Sequence, residues 1–190
     1  MRRLDAVALG GVALLLAGAF VYGEPDPDPA PGPDLVGLRA SAALAPCPSG
    51  LATDLAGVVL PCLGGGPDVG LGGAPVRPTV VNVWGSWCAP CVEEVPDLVA
   101  FAEQAAGTVD VVGVLTNDSQ TSGLAFADAY DMHYANVVDL DGLVRARYGG
   151  GTPLTLFVDA GGSITHVEAG KVDSLAELEA LVAEHLDVRL

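Results

Sequence analysis

Residues 84–94 read WGSWCAPCVEE, Trp84 to Glu94, and follow directly on the valine-rich run Thr79-Val80-Val81-Asn82-Val83. That run lacks polar alternation, which predicts a strand buried on both faces of a sheet covered by helices. From Ala89 to about Gln104, the residues Val92, Val95, Leu98, Val99 and Ala102 recur at helical spacing around Pro96, so a helix should follow. Cys88 then falls at the junction, where unsatisfied backbone N–H groups and the positive end of the helix dipole favour a thiolate. A free cysteine titrates near ~8.5 and this placement lowers it, which makes Cys88 a nucleophile expected to stand exposed. Cys91, one turn inward, is positioned to attack a mixed disulfide, and Pro90 sits in the first turn, where its missing N–H does no harm.

Two other uses of such a pair are weaker. A structural metal needs four ligands, and His133, His166 and His185 lack ligand spacing to the single Cys-X-X-Cys, so no metal site is expected. A purely structural bridge over so short a loop would remove little unfolded-state entropy. Redox chemistry is the reading that uses the position of the pair.

The chain continues with further alternation of element types. Val109–Leu115 reads as a second buried strand, Ser122–Tyr130 as a helix, Tyr134–Val138 as a short strand and Asp141–Tyr148 as a helical turn. Thr155–Val158 and Ile164–Glu168 flank Asp159-Ala160-Gly161-Gly162-Ser163, which has the turn chemistry of a β-hairpin. Leu175–Leu186 closes the chain as an amphipathic helix capped by Asp173 or Ser174. The order predicts an α/β fold with a mixed sheet. No repeat of solenoid length is present.

Eight basic residues against twenty-four acidic ones give a formal charge of −16 in 190 residues, which repels phosphate backbones and excludes nucleic acid as an expected partner. The first residues are Met1-Arg2-Arg3-Leu4-Asp5, and Ala6–Tyr22 then runs without a charge. That pattern predicts an N-terminal membrane anchor over residues 1–22 whose arginines stay cytoplasmic, with a cleaved signal peptide as the competing reading because of Ala17-Gly18-Ala19. Either way the rest of the chain is extracytoplasmic. A Pro/Asp-rich linker is expected over residues 23–45, where Gly23–Asp34 alternates prolines with acids and favours an extended spacer. Residues 46–75 form an N-terminal extension carrying Cys47 and Cys62, ahead of a domain over 76–190.

From about Pro78 to Leu186 the sequence resembles the thioredoxin superfamily, and specifically the membrane-anchored TlpA/ResA-like thiol-disulfide oxidoreductases. The resemblance is carried by Trp84–Cys91 after its strand, by Glu93-Glu94-Val95-Pro96, by Phe126–Asp139 with Tyr130 and Tyr134, and by Tyr148–Pro153 before a strand. It implies a thioredoxin fold with a central mixed sheet flanked by helices. It also implies a substrate groove at Trp87, Pro90, Thr152 and Pro153, with a cis peptide before Pro153. Thioredoxin carries a buried aspartate six residues before its first active cysteine, where this chain has Asn82. ResA-like proteins use instead a glutamate three residues after the second cysteine, which corresponds to Glu94. On a helix Cys91 and Glu94 share one face, so a carboxylate there can take the proton of Cys91. The bland alternative is a solvated acid like Glu93.

Four cysteines allow three pairings, and in an exported chain the local Cys47–Cys62 bridge is expected, structural in role, with a second redox pair as the sharper alternative. Arg39, Arg145 and Arg147 read as solubilising surface residues. The resemblance implies exchange with protein disulfides or dithiols, a membrane electron donor and no cofactor. It favours reduction of specific exported disulfides, as in cytochrome c maturation. A disulfide-forming oxidant is the alternative, and a Cu(I)-binding chaperone on the same fold is the alternative of a different class.

Overall fold

A computed structural model describes residues 34–190. The expected anchor, and the linker up to residue 33, lie outside the described residues; among the described residues no helix is long and apolar enough to cross a membrane. The first helix, α1 (Leu35–Ala42), corrects the expected linker, which ends earlier than residue 45. Proline stops recurring at Pro33, and Asp34 caps the helix by accepting from Gly37 N at 2.9 Å. Leu35, Leu38 and Leu44 then rest against the core.

After α1 come the short pair β1 (Val59–Leu60) and β2 (Val69–Gly70), then β3 (Thr79–Trp84), α2 (Ala89–Gln104), β4 (Asp110–Thr116) and α3 (Gln120–Ala129). The chain finishes with β5 (Ala135–Asp139), α4 (Leu143–Arg147), β6 (Leu154–Val158), β7 (Ile164–Ala169) and α5 (Leu175–Leu186). The main sheet has the order β5-β4-β3-β6-β7. β3, β4 and β5 run parallel, while β6 is antiparallel to β3 and to β7. This is the mixed α/β sheet the sequence predicts.

Side chains alternate across each strand, so two cores form. Val80 and Trp84 of β3, Val111 and Leu115 of β4, and Phe157 of β6 join Val95, Leu98 and Phe101 of α2 and Leu178 and Val182 of α5 on one face. Val81, Val83, Val112, Val114, Leu154 and Leu156 face the other way. Residues of the N-terminal extension cover that second face, since Leu51, Ala52, Leu55, Leu60 and Leu71 are buried against those strands. The same extension closes the β5 edge: Leu63 N donates to Asn136 O at 2.8 Å, Val138 N donates to Pro61 O at 2.9 Å, and Cys62 bridges to Val137. A covered edge is one that cannot recruit another strand.

Candidate active site

The first core face carries a polar row. Asn82 of β3 pairs in register with Gly113 of β4 and Thr155 of β6, and Gly113 pairs with Asn136 of β5, so Asn136, Gly113, Asn82 and Thr155 lie side by side beneath α2. All of these side chains are buried, and buried polar groups require partners. Trp84 Nε1 donates to Asn136 Oδ1 at 2.8 Å, and a Cβ on Gly113 would collide with both groups. Glycine at 113 is thus what lets the indole lie across the row. Asn82 Nδ2 donates to Thr155 Oγ1 at 3.2 Å and to Glu94 Oε1 at 2.8 Å.

Glu94 is only 1 % exposed. Its second oxygen accepts from Val172 N at 3.1 Å. Burial holds its carboxyl at about 7 instead of the ordinary 4.5, against the opposing pull of the Asn82 and Val172 hydrogen bonds and the Lys171 charge. The adjacent Glu93 is exposed and pairs with Lys171 at 3.0 Å. Successive helical residues point about 100° apart, so one acid of this pair faces the sheet and the other solvent. Tyr134, missed by the sequence reading as a site neighbour, is buried, and its phenol pKa is pushed upward by burial and by the Glu94 carboxylate.

Cys88 is the N-cap of α2, in extended backbone geometry, and its sulfur accepts from Cys91 N at 3.3 Å. Pro90 lies in the first helical turn. Cys88 and Cys91 are joined at 2.11 Å, and Cys47 and Cys62 at 2.05 Å. The expectation of an open first cysteine is corrected: Cys88 retains 3 % exposure and Cys91 none, because both pack with Trp84 in the first core. Trp87 beside them is 54 % exposed. The Thr152–Pro153 peptide is cis. It precedes β6, antiparallel to β3, and so lies at the same end of the sheet as the cysteine pair.

Asp118 is a site-positioning residue that the sequence reading passed over. Its Oδ2 accepts from both Ser86 N and Ser86 Oγ at 2.7 Å, fixing the loop that leads into Trp87 and Cys88. An aspartate directly before the Ser119 cap of α3 was the available signal. Arg39 corrects the surface reading, since its Nε donates to Leu63 O at 3.1 Å and its Nη2 to Gln120 Oε1 at 2.9 Å. Among the described residues no cluster of three or more metal-ligating side chains occurs. A cavity of about 560 Å³, lined in part by Pro46, Arg77 and Asp110, lies at the sheet end where β3 and β4 begin, opposite the cysteine pair.

A dithiol-disulfide pair on a helix N-cap, with a buried carboxyl one turn beyond the second cysteine, can exchange disulfides and hold the proton involved. A model of the Redoxin family matches residues 53–182. The chain belongs to the Redoxin family. Among relatives of this redoxin, the thiol:disulfide interchange protein DsbE of Pseudomonas aeruginosa is 32 % identical over 107 residues, covering 55 % of this chain and 58 % of the relative. Thiol-disulfide oxidoreductase ResA of Oceanobacillus iheyensis is 30 % identical over 93 residues, 48 % of each chain. Such matches span less than two thirds of these relatives' own length. Among solved structures, a secreted disulfide oxidoreductase of Mycobacterium tuberculosis, homologous to E. coli DsbE, aligns at TM-score 0.59 and 27 % identity over 67 % of this chain and 95 % of that one. The fold is accordingly thioredoxin-like, a central mixed sheet flanked by helices.

Proposed function

We infer that the chain is an extracytoplasmic thiol-disulfide oxidoreductase that reduces disulfides of particular exported proteins. The observation that carries this is Glu94, buried on Asn82 one turn past Cys91 with its carboxyl near 7. In the reduced protein the Cys88 thiolate attacks one sulfur of a substrate disulfide, the S–S bond breaks, and the first substrate thiolate leaves. Glu94 takes the proton of Cys91, whose sulfur then attacks Cys88. The Cys88–Cys91 disulfide closes, the two electrons pass to the substrate, and the second substrate thiolate is released and protonated. A dithiol donor at the membrane reverses the change in the enzyme. Trp87, Pro90, Thr152 and Pro153 frame the substrate, and Cys47–Cys62 is structural. Export rests on the N-terminal apolar segment, which holds the domain at the membrane or is cleaved; the resemblance of Trp84–Cys91 and Glu94 to TlpA/ResA-like oxidoreductases favours cytochrome c haem-site cysteines as the substrates.

Reducing rather than oxidising chemistry follows from charge. A carboxylate beside Cys91 opposes thiolate formation and so withholds the stabilised reduced form that makes strong oxidants oxidising. The reduction potential of Cys88/Cys91 tests this, with a value nearer ~−270 mV than ~−120 mV expected. A value at the oxidising end makes the chain a disulfide-forming oxidant. Copper titration of the reduced domain addresses the Cu(I) chaperone, and tight stoichiometric binding would replace the exchange reading.

A further inference from the structure

The loops after β3, β4 and β5 emerge at one end of the sheet because those strands are parallel. They are bonded edge to edge. Asp118 holds Ser86, and its neighbour Asn117 donates through Nδ2 to Leu140 O at 3.0 Å and through its backbone N to Asp139 O at 3.1 Å. The third loop is itself fixed: the buried Asp139 carboxylate accepts from Leu143 N at 2.8 Å and Val144 N at 2.9 Å. Gly142 turns the chain at φ 68°, in the left-handed region where a side chain would also press on Asn117. This frame holds Leu140 and Leu143 out with 56 % and 51 % of their surfaces exposed, comparable with Trp87. Exposed leucines on a floppy loop need no explanation, but leucines presented by a braced one on the same rim as the reactive cysteine do.

We propose that Trp87, Leu140 and Leu143 form one apolar strip that docks the polypeptide flanking the cysteine that Cys88 attacks. The proposal rests on the exchange reading above and adds the class of substrate. A segment entering at Thr152–Pro153, on the β6 side, crosses Cys88 and Trp87 and continues over the loop after β5. Two strand spacings separate β3 from β5, ~10 Å, and an extended peptide covers that in about three residues. The favoured substrate is thus an extended disulfide-bearing segment with a large apolar side chain about three residues from its cysteine. Continuity with the cysteine loop through Asp118 and Asn117 is what selects a substrate segment over a second copy of the chain as the occupant.

The test uses the full chain, reduced, with three disulfide substrates: oxidised glutathione, the mixed disulfide between glutathione and a peptide with leucine three residues to each side of its single cysteine, and the same mixed disulfide of a peptide with serines there. The leucine peptide is expected to have about tenfold lower KM than the serine peptide, in proportion to the apolar area it covers. L140S/L143S should erase that preference while leaving the rates with glutathione disulfide and the serine peptide unchanged; L140M/L143M should keep it. Equal KM for the two peptides with the unaltered chain, or an equal loss with all three substrates in L140S/L143S, overturns the strip. Failure of the unaltered chain to react with any of the three would instead defeat the exchange reading itself.

Discussion

The two disulfides of this chain are the same bond in opposite settings. Cys47 and Cys62 stand 15 residues apart and join two parts of the extension to each other, beside the β5 edge to which backbone hydrogen bonds attach it. Cys88 and Cys91 stand 3 apart, at the start of α2, over a buried carboxyl and an amide. In the chain-entropy account the first closure is worth ~3 kcal/mol and the second roughly half of that. The shorter bridge has less to give stability, and its placement on a helix N-cap suits reversible opening. What surrounds the sulfurs, and how much chain they close, decides what a disulfide is for.

The strongest way to break this comparison is to exchange the roles. Cys88→Ser is expected to abolish disulfide exchange, a loss of at least about a thousandfold, and Cys91→Ser to accumulate mixed disulfides, because the attacking and resolving sulfurs are removed in turn. Insulin reduction and trapping on non-reducing gels measure both. C47S/C62S should do the reverse, lowering stability by about 3 kcal/mol in urea unfolding while exchange stays within about twofold. Full activity in Cys88→Ser, or exchange lost in C47S/C62S, would show that the division of labour is wrong.

How far this division could be read from sequence differs by element. The strand over Thr79–Val83 and the helix from Ala89 were legible because burial on both faces and a 3.6-residue stripe leave strong local patterns. So was the hairpin around Asp159–Ser163. The helix over Leu35–Ala42 was not, because its eight residues are stabilised by contact with α3 and the core and carry little periodicity of their own. Arg39 was misread for the same reason, since its acceptors at Leu63 and Gln120 lie far away in sequence. Cys88 and Cys91 needed only spacing and a junction. Helical spacing from Cys91 and the resemblance singled out Glu94, but its burial needed the sheet, because its partner Asn82 comes from β3 beneath it.

The carboxyl sharpens the comparison through pH. Unfolded, Glu94 loses its proton near 4.5; folded, it keeps the proton until about 7. Below 4.5 the two states bind equally. Between these values the unfolded chain ionises while the folded one does not, so stability falls as pH rises, by roughly 3 kcal/mol in all, and levels off above 7. Glu94→Gln cannot ionise and should flatten that slope, gaining on the parent protein from pH 5 to 8 when the pair is oxidised. Urea midpoints at the two ends measure it. The same variant should slow exchange about tenfold and lower the apparent pKa of the cysteine cluster. Parallel pH profiles, with unchanged exchange, would return Glu94 to a purely packing role.

The smallest expected effect concerns how the Cys47–Cys62 clamp shares its work. Leu63 follows the second cysteine directly, and its carbonyl accepts from Arg39 while its N–H pairs with Asn136. Arg39 therefore ties α1 to the segment that the disulfide also fastens, and a second bond to Gln120 ties it to α3. Arg39→Met keeps much of the side chain's apolar length but removes both donors, at an expected cost of about 1 kcal/mol. If the disulfide and the arginine hold one segment in parallel, each is worth more when the other has gone. The cost of Arg39→Met in the C47S/C62S background should then exceed its cost in the parent by about 0.5 kcal/mol or more, a coupling that a double-mutant cycle in urea resolves. Strict additivity would mean that backbone pairing along β5 alone keeps the segment in place and that the Cys47–Cys62 bridge acts only on the unfolded chain.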